Sequence, residues 1–511
     1  MRVLLALAVV GLIGVAQQPS CPVPPGPVVP NDGAPVGLPP RAWACYPTGV
    51  LPSYVVAGDF NVDGWLDLAV SCMGTNDVWV YGNQGNVVRG VFTVPGIGGG
   101  PTARVPTVLN PIQMVVGQFN GGFDGYPDIA VLSGFTGNIG AIAGAATPLV
   151  AAPPLFGPVP GAICMAGGNF DNDGRTDFVL VTAGAATVFS SAGGFAATPL
   201  AYAATLATPV AVVTGDFDQN GWDDVAVLFR APAPGGGGAI QVFYNATAAG
   251  AVPPAAGAVP PVVAFFPPFV YLAAAIPAYL APVGMDVGDF NADGYPDLVI
   301  VENTIAAPIR GFAQVFLNLV PVGTILGFVP VSLANSAMST WGFDARFVEV
   351  LDADGNGRDD FAVANWGSDT VTIFLTDALP LLPDKRPVDS TGYCLCDEQR
   401  REDLLDITFK LFKIELQCGH FPVGLAAGDF DHNGKADLAV ALQSADKELC
   451  AQNRSCIEVD FDIACGFSPN QTPHSYDKDK ESHTCSECKD KGSAGSATQG
   501  SESDTSGGSG K

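Results

Sequence analysis

Seven times along the chain an apolar run leads into a short acidic stretch and out into a second apolar run. The first copy reads V-V-A-G-D-F-N-V-D-G-W-L-D-L-A-V over 55–70, and further copies begin at Gln118, Asn169, Asp216, Asp289, Asp352 and Asp429. The apolar runs are short, alternating and β-branched, with Gly and Pro between them, so each reads as a strand and each acidic stretch as the loop joining two strands. A unit that recurs every 47 to 77 residues is a repeat architecture. Short strands at such spacing, with little helical periodicity, predict an all-β closed or radially repeated fold.

The loops carry specific chemistry. Oxygen-bearing side chains stand at loop positions one, three, five and nine, and with a backbone carbonyl at seven they can supply the six to eight oxygens that Ca²⁺ prefers. Glycine at position six permits a turn with positive φ. The first loop offers Asp59, Asn61, Asp63 and Asp67; the third Asn169, Asp171, Asp173 and Asp177; the fourth Asp216, Asp218, Asn220 and Asp224. The fifth offers Asp289, Asn291, Asp293 and Asp297; the sixth Asp352, Asp354, Asn356 and Asp360; the seventh Asp429, Asp431, Asn433 and Asp437. The second loop departs: it begins with neutral Gln118, carries two extra residues and retains Asn120, Asp124 and Asp128. Six full Ca²⁺ sites and a seventh, degenerate one are therefore expected.

An EF-hand or dockerin loop opens in the same way, but it needs a bidentate acid at position twelve and flanking helices. Position twelve is held here by Val70, Leu180, Val227, Ile300, Val363 and Val440. The strings G-D-F-N-x-D-G-x-x-D at Gly58 to Asp67 and Gly288 to Asp297, with G-D-F-D-x-N-G-x-x-D at Gly215 to Asp224 and Gly428 to Asp437, instead resemble FG-GAP or VCBS repeats, the family of the integrin α-subunit N-terminal propeller. The resemblance covers roughly 45–470. It implies a seven-bladed β-propeller, one four-stranded blade per repeat, with calcium-binding loops between neighbouring strands. Trp366 to Leu375 looks like a third strand of such a repeat. Phe60, Phe119, Phe170, Phe217, Phe290 and Phe430 at loop position two, with Ala353 in the sixth loop, are expected to pack between blades.

Composition sharpens this picture. Net charge is −27 although only 14 % of residues are charged, so the acid is concentrated, much of it in the loops, and it argues against nucleic acid as a partner. Residues 1–16 read as a secretory signal, with Arg2 before an uncharged run too short to span a membrane. The segment 17–44 is Pro-rich and is expected to end in a strand that completes the last blade. The apolar stretch from Val262 to Met285 is broken by four prolines and reads as an inter-blade connection and strand, so no transmembrane span is expected. A charged, Cys-bearing insertion covers about 380–418, with 397–405 read as helical and 407–416 as a strand, and 471–511 reads as a polar Ser/Gly-rich tail.

Twelve cysteines in an exported chain suggest disulfides without fixing their connectivity. Cys394, Cys396, Cys418, Cys450, Cys456 and Cys465 frame the seventh motif; Cys485 and Cys488 stand beside His483 in the tail, where a disulfide or free thiols are favoured over zinc. Asn245, Asn453 and Asn470 lie in glycosylation sequons. No histidine precedes His420, and no nucleophile elbow, zinc helix or P-loop occurs. The favoured function is a secreted or cell-surface, non-catalytic binding or adhesion module for carbohydrate or protein. An extracellular enzyme, of the kind associated with polysaccharide lyases or phospholipases, would need a catalytic domain, for which no stretch of sufficient length is visible, or a Tyr, Arg or Lys cluster in the central channel, and a structural surface or filament subunit is the third possibility. Oligomeric state is not legible.

Overall fold

The computed structural model describes residues 43–85, 92, 103–119, 125–145, 150–152, 157–191, 194–202, 208–231, 237–246, 263–266, 269–271, 280–318, 328–330, 338–377, 408–416, 419–445 and 455–460. All of these belong to one compact unit; a second unit, 379–404 with 472–511, lies outside the described residues, as do the expected signal, the helical stretch at 397–405 and the tail cysteines.

Among the described residues twenty-nine strands form seven antiparallel sheets, one per motif. Blade one is β2 (Pro52–Gly58), β3 (Asp67–Cys72), β4 (Asp77–Tyr81) and β5 (Ala103–Pro106), following β1 (Trp43–Pro47). Blade two is β6 (Pro111–Gly117), β7 (Asp128–Ser133), β8 (Ile139–Ala143) and β9 (Val150–Ala152); blade three is β10 (Cys164–Gly168), β11 (Asp177–Val181), β12 (Ala185–Ser190) and β13 (Ala196–Ala201). Blade four is β14 (Thr208–Gly215), β15 (Asp224–Arg230), β16 (Gly238–Phe243) and β17 (Phe269–Tyr271). Blade five is β18 (Leu280–Gly288), β19 (Asp297–Thr304), β20 (Arg310–Asn318) and β21 (Phe328–Pro330), with β22 (Met338–Phe343) also pairing β20. Blade six is β23 (Ala345–Leu351), β24 (Asp360–Asn365), β25 (Thr370–Asp377) and β26 (Thr408–Glu415). Blade seven is β27 (Gly419–Gly428), β28 (Asp437–Ala445) and β29 (Cys456–Asp460), completed by β1 from the other end of the chain.

The first strands of successive blades touch one another in a closed circuit, β2 to β6 and onward to β27 and back to β2, so they surround the axis. Five of them carry a proline near their start (Pro52, Pro111, Pro209, Pro282 and Pro422), and at each the pairing with the second strand slips by one residue. Proline, which offers no amide to the ladder, suits such a bulge, but β23 slips at the same place, between Ala345 and Phe347, without one. The described parts of 262–285 are strand β17 and its flanks together with the start of β18, as a connection plus strand requires. The stretch 366–369 is the turn that leads into third strand β25.

Seven apolar clusters fill the seven interfaces between blades. Each holds one loop position-two side chain: Phe60 between blades one and two, Phe119, Phe170, Phe217 and Phe290 in the next four, Ala353 between six and seven, and Phe430 between seven and one. The sixth interface fills its space with Leu351, Leu375, Leu425 and Leu442 where the others use a ring. Cys72 and Cys164 are buried free thiols, pushed up to about 12 by burial and so kept protonated.

The ring closes through β1. Its five residues pair with β29, Tyr46 is buried between blades seven and one, and the Tyr46 ring meets Phe92 edge-on at 5.7 Å. The Tyr81 hydroxyl donates to the Pro47 carbonyl at 2.8 Å. Tyr46→Ala should therefore lower unfolding free energy by about 3–5 kcal/mol in denaturant titrations. The same truncation at exposed Phe135 should change it by less than about 0.5 kcal/mol, and equal effects would contradict this closure.

Candidate metal-binding rim

Each acidic loop joins the first and second strands of its blade, so all seven occupy one rim of the ring. The loop folds around its own first aspartate. In loop one Asp59 Oδ1 accepts from the Asp63 amide at 3.0 Å and Oδ2 from the Gly64 amide at 2.9 Å, while Asn61 Oδ1 accepts from Asp63 N at 2.8 Å. The same three bonds recur around Asp216, Asp289, Asp352 and Asp429. Position-six glycine has φ between 79° and 90° in all seven loops, Gly125 of the divergent loop included. Position four is left-handed too: Val62, Asn172, Gln219, Ala292 and His432 lie at φ 52–56°, and Gly355 takes that place in loop six. A β-branched residue resists this region, so Val62 is strained.

In four loops three carboxylates gather within 4.8 Å: Asp171, Asp173 and Asp177; Asp216, Asp218 and Asp224; Asp352, Asp354 and Asp360; Asp429, Asp431 and Asp437. Asparagine occupies the third position of loops one and five, and no such trio forms there. Asn120 and Asp124 of loop two lie outside the described residues, and Asp128 is placed like the other ninth-position acids. Three carboxylates so close repel one another by roughly 4 kcal/mol per pair at 4 Å and intermediate dielectric, which a bound cation would remove. Three oxygens at ligand positions, Asn169 Oδ1, Asp67 Oδ2 and Gln118 Oε1 of the divergent loop, are buried without a hydrogen-bond partner, and a cation would satisfy them. The donor set is all oxygen, so the residues fit a hard divalent ion.

The ninth-position acid has a second role that its spacing did not reveal. All seven, Asp67, Asp128, Asp177, Asp224, Asp297, Asp360 and Asp437, are buried. In loops two to seven one oxygen accepts the position-two amide at 2.8–3.1 Å. In blades one to six the other accepts an amide at the end of the third strand, from Asn83, Gly144, Ser191, Asn245, Asn318 and Thr376, at 2.6–3.0 Å. In loop one the Phe60 amide bonds the Gly58 carbonyl, and Asp67 Oδ2 has no hydrogen-bond partner.

Sequence reasoning also passed over the asparagines that follow the third strands. Asn83, Asn245 and Asn318 each donate Nδ2 to the position-two carbonyl of the preceding blade, those of Phe430, Phe170 and Phe217, at 2.7–2.9 Å. The signal was present as an aromatic or aliphatic residue and then Asn after an apolar run, as in V-F-Y-N and V-F-L-N. Asn245 is thereby buried, so its sequon is closed to glycosylation in the folded ring. Position eight adds a clasp between loops: Asn169 N donates to Asp223 Oδ2 at 2.6 Å and Asp289 N to Asp359 Oδ2 at 2.7 Å. His432 of loop seven stacks on Trp65 of loop one at 3.8 Å across the closure. Between loops six and seven a cavity of about 430 Å³ is bordered by Asp352, Asp429 and Lys435.

Residues 169–227, from the third loop through the fourth, match the model of the FG-GAP-like repeat. An FG-GAP-like repeat is thus shown over this stretch, within a ring of seven sheets in which its acidic loop recurs. A comparison with curated proteins finds no match. Among solved structures, a protein from Lactobacillus plantarum is 12 % identical, with 64 % of this chain and 81 % of that chain covered and a TM-score of 0.40; the propeller is established here by its own strand pairing.

The FG-GAP-like propeller holds a second polar cluster at its axis. Tyr54 of β2 feels Glu349 of β23, Asp286 of β18, Gln113 of β6 and Cys164 of β10, groups from five blades that meet only at the centre. Burial, then Glu349 and Asp286, push the Tyr54 phenol up, so it stays neutral. Asp286 accepts the Val350 amide at 2.9 Å and Glu349 the Ala427 amide at 3.3 Å, so each reaches across to the next blade. Burial raises Asp286 to about 6 and lifts Glu349 well above the usual range, with Asp286 adding to the latter.

Among the ninth-position acids burial raises Asp67 and Asp177 to about 7, and Asp224 and Asp360 to about 8. A raised folded value means that the native state keeps protons the unfolded chain has lost. This stabilisation is full below the unfolded value near 3.8 and is lost as pH rises through 7 to 8. In protein stripped of divalent cations, unfolding free energy should therefore fall steadily between about pH 5.5 and 8.5 in denaturant titrations. A rise over that range would contradict the assignment.

Proposed function

We propose that this FG-GAP-like propeller is a secreted or cell-surface, calcium-stabilised module that binds an extracellular carbohydrate or protein without catalysis. The observation that carries the reading is the convergence of loop carboxylates whose backbone bonds already fix their geometry, together with the unpartnered oxygens of Asn169 and Asp67. Calcium suits an all-oxygen site built on a flexible loop better than zinc, which prefers N and S. The residues that would hold it are those at positions one, three, five and nine of loops one and three to seven, with loop two the weak member. Bound calcium would supply charge neutralisation. The chain's own residues do the rest, since the same aspartates order the loop and pin the third strand.

Extracellular modules of this kind bind calcium at about 10⁻⁴ to 10⁻³ M, which matches a compartment rich in the ion. The shallow, open depression between loops six and seven is bordered by Lys435 and by Asp352 and Asp429. No helix among the described residues is long and apolar enough to cross a membrane. The enzyme alternative rests on the axial cluster, where Tyr54 faces two acids with raised pKa; the cluster draws no Arg or Lys from the described interactions, and its acids hold backbone amides.

Two measurements test the reading. Chelation should lower the melting temperature, each site contributing roughly 1 kcal/mol in millimolar calcium; an unchanged melt would remove calcium from the account. On arrays of glycans and extracellular proteins, the full chain should be retained in calcium without turnover. Turnover of a polysaccharide would reverse the choice in favour of the enzyme.

A further inference from the structure

The rim opposite the acidic loops has a different surface. Because strands alternate in direction, the turns between second and third strands, and the connections from one blade to the next, all lie there. Large apolar side chains stand exposed at those turns: Leu51, Leu109, Phe135, Ile305, Ile309 and Phe343, from 43 % for Phe343 to 78 % for Phe135. Of the exposed large apolar residues described, only Val62 and Phe266 lie toward the loop rim.

These tips are built features. The Ser133 hydroxyl donates to the Leu109 carbonyl at 2.7 Å and Gly134 N to the Asn110 carbonyl at 2.9 Å, tying the Leu109 and Phe135 turns together. Thr304 Oγ1 accepts from Arg310 N at 2.9 Å across the turn that carries Ile305 and Ile309. Leu51 is held at φ 54°, a region leucine resists, by the Met73 amide on its carbonyl at 2.8 Å. Exposing and straining apolar side chains does nothing for the core, and surface apolar groups gathered on one face mark an interaction site.

Charge on this rim is opposite to that of the loops. Arg230 ends β15 and Arg310 begins β20; both are exposed, and neither makes an ion pair among the described residues. The acids nearby are occupied, Asp344 by Arg346 at 2.8 Å and Asp369 by His420 at 3.0 Å. Among the described residues Arg230 and Arg310 are thus cations on this face without an acidic partner.

We propose that this rim docks on an anionic lipid surface, the apolar tips entering the interface while Arg230 and Arg310 meet headgroup phosphates. The tips are spread over the turns of separate blades around the ring, which suits a broad surface and not a peptide groove. A second copy packed through the same face would offer those arginines, among its described residues, Asp77, Asp344 and Asp369, each of which already has a partner. The docking goes beyond the binding of carbohydrate or protein and leaves the acidic rim free.

The test is sedimentation of the full chain, in millimolar calcium, with vesicles of phosphatidylcholine alone or with phosphatidylserine added. Binding is expected to the mixed vesicles and far more weakly to the neutral ones. Arg230→Gln with Arg310→Gln should lower the mixed-vesicle partition about 25-fold, near fivefold per arginine. Phe135→Ser with Ile305→Ser and Ile309→Ser should abolish it, with an unchanged melt. Absence of sedimentation, or wild-type binding by both variants, as calcium bridging through the acidic loops would give, overturns the proposal. So does a dimer by light scattering that the apolar variant dissociates, since the face would then join two copies.

Discussion

The buried ninth-position carboxylate is the interaction on which the rest depends. In Asp177, Asp224, Asp297 and Asp360 one oxygen fastens the start of the acidic loop and the other fastens the end of the third strand, so a single side chain sets the geometry of three elements. Burying an ionised acid is costly unless charge and hydrogen bonds compensate it. The amides supply part of that compensation, and a divalent cation shared with positions one, three and five would supply the remainder. Loop and blade edge are thus one device, repeated around a ring, and a bound cation would complete it.

Links between blades extend the device. Asn83, Asn245 and Asn318 reach back to the preceding loop, Asp223 and Asp359 clasp the backbone of the loop before them, and a position-two ring fills six of the seven interfaces. Distortion of one loop is therefore passed to its neighbour through hydrogen bonds as well as packing. Blade seven closes the circuit with a strand from the far end of the chain, and Tyr46 and Phe92 fill the seam.

Much of this was legible in the sequence because period and spacing report local geometry. Apolar runs around Asp59 to Asp67 and its copies identify strands and loops, and Phe60, Phe217 and Phe430 announce inter-blade packing. What spacing could not convey was contact between residues far apart in the chain. Asn83 and Phe430 are 347 residues apart and share a bond. The dual use of Asp224 depends on where β16 ends, and Asn245 resembles a glycosylation site until its burial is known. The left-handed position four was hidden because Val62, Gln219 and His432 have no composition in common. The apolar rim was equally silent: Phe135 and Ile305 lie outside the repeated motif, and only the turns that lift them out reveal their exposure.

The most direct test of the central claim is anomalous diffraction from crystals grown in calcium. The account predicts scatterers inside the acidic loops, strongest among Asp171, Asp173 and Asp177, Asp216, Asp218 and Asp224, Asp352, Asp354 and Asp360, and Asp429, Asp431 and Asp437. Loops that keep their fold with no anomalous peak, or calcium found only elsewhere, would contradict it.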